Sequence, residues 1–148
     1  MPSIVAFKTS SFTPIYRDSI GLIVVSIDKK FPGEGMAAGQ QLVAGPTNKV
    51  VIVVDKDINI LNQNEVLQAM SARWQPTASQ VTVQTRMTLP DPSLAQRGIG
   101  SKIIIDATRQ LPEEGGPASW PAATKVLLEE GCPDLFDLVE KEWPEFWK

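Results

Sequence analysis

Two stretches of the chain, Ile20 to Ile27 and Lys49 to Val54, are almost unbroken runs of β-branched apolar residues. Short runs of this kind, apolar at consecutive positions, predict strands covered on both faces. Between them, Gly35 to Ala44 is rich in Ala, Gln and Met and stops at Gly45-Pro46. That predicts a short helix, which Gly39 weakens. Strand, helix and strand in this order predict a parallel pair joined by a right-handed crossover.

A second helix is predicted after Asn62. Asn62 can cap it and Glu65 stands three residues on, the spacing of a capping box. Val66, Leu67, Met70 and Trp74 follow at helical spacing and are its predicted buried face. Pro76 ends it. Ser79 to Thr85 alternates, with Val81 and Val83 on one face, and predicts a half-buried strand near a sheet edge. A loop is expected over Arg86 to Gly100, then a third buried strand over Lys102 to Ala107. Leu111 to Trp120 reads as loop. Two closing helices are expected, Pro121 to Glu130 and Asp134 to Trp143, the second carrying Leu135, Leu138 and Val139; Gly131-Cys132-Pro133 separates them. The expected architecture is one α/β domain over residues 1–148, a small, mostly parallel sheet flanked by helices, with residues 110–148 as a helical, aromatic extension.

Composition narrows the chemistry. The 148 residues carry a net charge of −3, one Cys and no His. Without His there is no Ser-His-Asp or Cys-His arrangement and no His ligand for zinc. One Cys excludes a disulfide or a thiolate metal site within a single chain. Mild acidity argues against nucleic acid as a partner. Neither apolar run approaches the ~20 residues that span a bilayer, and Met1-Pro2-Ser3-Ile4 does not resemble a signal peptide. A cytoplasmic protein without membrane partner is the expectation.

Three clusters remain as candidate chemistry. Asp55 and Asp57 follow the central strand, where open parallel sheets bind ligands, and with Asp106 they could hold Mg²⁺; equally, they could serve turn hydrogen bonds. Gly98-Ile99-Gly100-Ser101-Lys102 has the residues of a phosphate loop in the wrong order, because it leads into a strand rather than a helix. Lys29-Lys30-Phe31-Pro32-Gly33-Glu34 is a basic turn that could meet a partner or an anion. Trp120, Trp143, Phe146 and Trp147 suit a core or a subunit interface better than a cofactor. Cys132 has no activating neighbour. None of these names a reaction.

Five stretches in order resemble a known family. They are Val24-Val25-Ser26-Ile27-Asp28-Lys29-Lys30-Phe31-Pro32-Gly33, Lys49 to Ile60, Glu65 to Pro76, Leu89-Pro90-Asp91-Pro92-Ser93 and Gly98 to Arg109. Together they are similar to the C-terminal domain of the UbiD-like carboxylases and decarboxylases. Glu34 stands where that family commonly has His, and Lys56 interrupts its acidic run. The resemblance implies CO2 chemistry on aromatic or α,β-unsaturated acids, with prenylated FMN, a divalent metal and potassium held by a large N-terminal domain. It implies that the C-terminal domain drives oligomerisation and closes over the substrate pocket. The expectation is therefore an accessory small subunit that binds no cofactor alone and owns no catalytic residue. It would pair with a large, prenylated-FMN-binding subunit and could also self-associate. Arg86, Met87 and Leu89 are expected in the pocket wall, and Trp120, Trp143, Phe146 and Trp147 at the subunit interface. The rivals are an assembly protein without substrate contact, and a small Mg-dependent phosphate enzyme using Asp55 and Asp57.

Overall fold

The apolar runs become the centre of a five-stranded sheet. In the computed structural model, which describes residues 4–9, 21–86, 93–94, 98–120 and 133–142, the strands are β1 (Ile4–Thr9), β2 (Leu22–Ile27), β3 (Val50–Asp55), β4 (Ser79–Arg86) and β5 (Ile99–Asp106). Their spatial order is β1-β2-β3-β5-β4. β2, β3 and β5 run parallel, with Leu22 beside Val50 and Val50 beside Ile103. β1 and β4 close the two edges antiparallel. The α/β class and the parallel β2–β3 pair are as the sequence predicts. β1 has no counterpart in the sequence reading.

Two helices cover opposite faces. α1 (Glu34–Val43) lays Ala38, with Met36, Leu42 and Val43, against Val25, Ile27, Val51, Val53 and Ile104. α2 (Gln63–Arg73) lays Val66 and Ala69, with Met70 and Trp74, against Val24, Ile52, Val54, Ile105 and Ala107. Alternate residues of each central strand thus enter opposite cores, which is why these strands read as continuous apolar runs. Gly39 is the reason α1 can sit so close: a Cβ there would collide with the side chain of Ile104. The residue that weakens the helix in isolation is required by its packing.

Three expectations need correction. Leu67 is 53% exposed, and Ala69 takes its place in the core. Val81 and Val83 are 60% and 68% exposed, because the cluster under α2 reaches Ile103 and Ile105 of β5 but not β4. β4 also bends: its register with β5 shifts between Thr82 and Thr85, and Gln84 has φ +52°. Such a bulge adds twist and re-aims an edge strand. The predicted 86–100 loop is shorter at both ends, since β4 runs to Arg86 and β5 starts at Ile99. The helix expected over 121–130 and the side chains of Met87, Leu89, Trp143, Phe146 and Trp147 lie outside the described residues, as does Cys132.

The chain divides into two units, Met1–Gly116 and Pro117–Lys148. The second contains half-buried Trp120 and α3 (Pro133–Glu142), on which Leu135 and Leu138 are 49% and 47% exposed rather than buried. Among the described residues, no helix is long and apolar enough to cross a membrane.

Candidate functional site at the carboxyl edge of the sheet

Three parallel strands deliver charged residues to one edge. β2 ends in Asp28, Lys29 and Lys30, β3 in Asp55, Lys56 and Asp57, and β5 in Asp106, Thr108 and Arg109. This is where doubly wound sheets bind ligands. Here the charges are directed at one another.

Arg73, the last residue of α2, reaches Asp55 at 2.8 Å and grips both oxygens of Asp57 at 2.9 and 2.8 Å. Arg109 donates its backbone N–H to Asp55 and its guanidinium to Asp57, at 2.8 and 2.7 Å. The Arg73 hydrogen bonds hold the Asp57 carboxyl below its ordinary pKa. Burial pushes Asp55 upward in spite of the Arg109 N–H and Arg73. A carboxylate pair already neutralised by two guanidiniums is a poor Mg²⁺ donor set. Asp106 is 3% exposed, and its Oδ1 accepts from the Thr108 N–H and hydroxyl at 3.1 and 2.6 Å. The structure does not bring Asp106 together with Asp55 and Asp57 into a metal site, and no group of three potential ligands converges among the described residues. This pairing gives the Mg-dependent phosphate reading no support among the described residues.

A second network lies beside α1. The Lys29 side chain is 2% exposed and bridges Glu114 at 2.6 Å and the Thr108 hydroxyl at 3.0 Å. Glu114 belongs to a 3₁₀ turn, Pro112–Glu114, within the predicted loop. Its carboxylate also accepts the N–H of Gly33 and of Leu111, each at 2.7 Å. Burial raises the Glu114 pKa, but these N–H groups and Lys29 outweigh it and hold it below the ordinary value. Glu34 accepts from the N–H of Lys30 and of Phe31, and these bonds lower its own pKa. The basic turn is thus held by two carboxylates, Glu34 and Glu114.

Lys102 settles the glycine-rich segment. It is 4% exposed, and its Nζ donates to the carbonyls of Val43 and Gly45 at 2.8 and 2.6 Å. The amine therefore satisfies the orphan carbonyls at the end of α1, and desolvation lowers its pKa. It is unavailable to a phosphate. Arg73, Arg109, Thr108 and Glu114 were not singled out by sequence reasoning. The partners that draw them into these networks from elsewhere in the chain lie from 16 to 85 residues away, so no local spacing announces them. Of the expected pocket-wall residues, Arg86 ends β4 with its side chain exposed, away from these two networks.

An α/β sheet with this order, and a chain whose residues 13–107 match the 3-octaprenyl-4-hydroxybenzoate carboxy-lyase C-terminal domain, decide the family. The chain belongs to the UbiD family. It is 34% identical over 128 residues to a phenolic acid decarboxylase of Bacillus subtilis, covering 82% of this chain and 27% of that protein. Among solved UbiD relatives, the open form of Sedimentibacter hydroxybenzoicus vanillic acid decarboxylase superposes with a TM-score of 0.69 at 25% identity, over 95% of this chain and 30% of that one. The UbiD-class enzyme HmfF from Pelotomaculum thermopropionicum, solved in complex with FMN, superposes with a TM-score of 0.59 at 30% identity, over 72% and 24%. The chain spans about a quarter of the length of the UbiD relatives it matches.

Proposed function

We propose that this chain is the accessory small subunit of a UbiD-type carboxylase or decarboxylase acting on aromatic or α,β-unsaturated acids in the cytoplasm. A separate large subunit carries prenylated FMN with its divalent metal and potassium. That subunit supplies the electronic chemistry of CO2 exchange. This chain supplies assembly and a movable wall that shuts water out and fixes the acid.

One observation carries the reading. Each charged residue at the ligand edge of the sheet, in segments 28–30, 55–57 and 106–109, already has a protein partner. The edge is built to be rigid, and no free acid, base or nucleophile stands there to react. Arg86, exposed at the end of β4, is the group we assign to the acid's carboxylate, with Met87 and Leu89 as the apolar wall beside it. Trp120, Trp143, Phe146 and Trp147 are assigned to the subunit interface.

The test is reconstitution. Alone, the purified chain should release no CO2 from cinnamate-type or hydroxybenzoate-type acids and bind no flavin. With the flavin-bearing chain it should raise turnover. Sustained CO2 release by the chain alone would overturn the proposal.

A further inference from the structure

β4 and β5 run past the body of the sheet at its amino edge, opposite the two charge networks. β5 pairs with β3 only from Ile103 onward, whereas β4 follows β5 as far as the Arg86–Ile99 pair. Residues 99–102 and the end of β4 therefore form a two-stranded arm with Arg86 at its tip. A two-stranded ribbon has little stability of its own. This one also carries strain. Gln84, two residues before Arg86, holds φ at +52°, in the left-handed region that side chains rarely adopt. Such strain persists only where the surroundings impose it.

Residues 87–98 join the two strands, against roughly 2–5 residues in ordinary hairpins. Ser93 lies near the middle of that connection, seven residues after Arg86 and six before Ile99. Its hydroxyl accepts a charge-assisted hydrogen bond from Lys49 Nζ at 2.8 Å. Lys49 is a firm anchor. Its N–H donates to the Gly21 carbonyl at 2.8 Å, and its own carbonyl accepts the Ile103 N–H at 2.8 Å. At the root of the arm, Lys102 binds the carbonyls of Val43 and Gly45. The Lys49 backbone is level with Ile103, four residues along β5 from the Ile99 that faces Arg86, about 13 Å at 3.3 Å per residue. Its hold on Arg86 runs through the connection.

From this geometry we infer that Lys49 is a positioning residue for the acid: by holding Ser93 it fixes the β4–β5 connection and so aims Arg86 at the carboxylate. The inference rests on the accessory-subunit reading, with Arg86 as the group that meets the acid, and adds the residue that orders that group. A guanidinium on an unbraced arm gives up part of its binding energy to ordering the arm. A bond to a fixed strand meets that cost before the acid arrives.

The experiment follows CO2 release from 4-hydroxycinnamate and 4-hydroxybenzoate by the complex of the full chain with its flavin-bearing large chain. K49M and S93A should each lower kcat/KM at least ~5-fold, the scale of a small misplacement of a binding group. In an R86A background, K49M should cost less than ~2-fold more, because the group it positions is already gone. A merely structural defect would reduce the active complex by the same factor in both backgrounds. Parental kcat/KM in either K49M or S93A overturns the brace while leaving the accessory role standing. So does a loss that K49M repeats in full beside R86A, since Lys49 then acts without Arg86. Parental kcat/KM in R86A overturns the Arg86 assignment and the brace together. Absence of CO2 release by the parent complex overturns both along with the accessory reading.

Discussion

Lys29 shows how a surface-type residue becomes part of the interior. Its side chain is 2% exposed, and its ammonium is placed between Glu114 and Thr108, residues that close the same edge from another part of the chain. Removing one member of such a pair leaves the other desolvated, which costs far more than the net worth of the pair. K29M keeps the volume and removes the charge. It should destabilise the protein by about 3 kcal/mol in urea unfolding, and E114Q should recover part of that loss. The Glu114 carboxyl, held below its ordinary pKa, has a definite consequence in acid. Because the folded state favours the charged form, its contribution is complete above the unfolded pKa of about 4.3 and is lost as pH falls through the lower folded value. Asp55, displaced upward by burial, works in the opposite direction. Unfolding free energies measured from pH 6 to pH 3 should fall less steeply in E114Q than in the parent; parallel curves would contradict the assignment.

The elements of the sheet differ in how plainly the sequence announces them. β2, β3 and the core of β5 were legible because burial on both faces leaves a continuous β-branched run. α2 was legible from Asn62, whose side chain does accept the Asn64 N–H at 3.1 Å. Glu65, by contrast, turns to the Asn59 N–H and the Asn62 amide rather than completing a capping box. The exposure of Val81 and Val83 was not legible, since alternation states that a strand has two unlike faces but not whether a helix reaches far enough to cover one. Nor were the ion pairs of Asp55 and Asp57, whose guanidinium partners are brought in by the fold. Gly39 illustrates the same limit. Propensity alone favours Ala there by about 1 kcal/mol, whereas the contact with Ile104 forbids it. G39A should therefore lower stability by about 1–3 kcal/mol, and it should cost less in an I104A background, which removes the Cγ2 methyl group that the new Cβ meets. Denaturant midpoints of the two single variants and the double variant would show whether the changes couple.

Across the whole molecule, the UbiD-type domain combines an internally paired ligand edge with the exposed Arg86 at the end of β4. Arg86 separates the two roles proposed for this domain, contact with the acid and contact with a partner. If it faces the acid, R86A should reduce turnover of the reconstituted complex at least ~10-fold, the loss expected from a charge-assisted hydrogen bond, with assembly by size exclusion unchanged. Loss of assembly would move Arg86 into the interface. The capping of α1 by Lys102 carries a consequence for chemical labelling. An amine that is 4% exposed and bonded to two carbonyls cannot meet an acylating reagent in the native state. Lys30 and Lys56 stand open to it. Under brief treatment with acetic anhydride, mass spectrometry should find those two modified and Lys102 spared. The rate at which Lys102 acquires its tag then becomes a clock for the opening of the helix it closes.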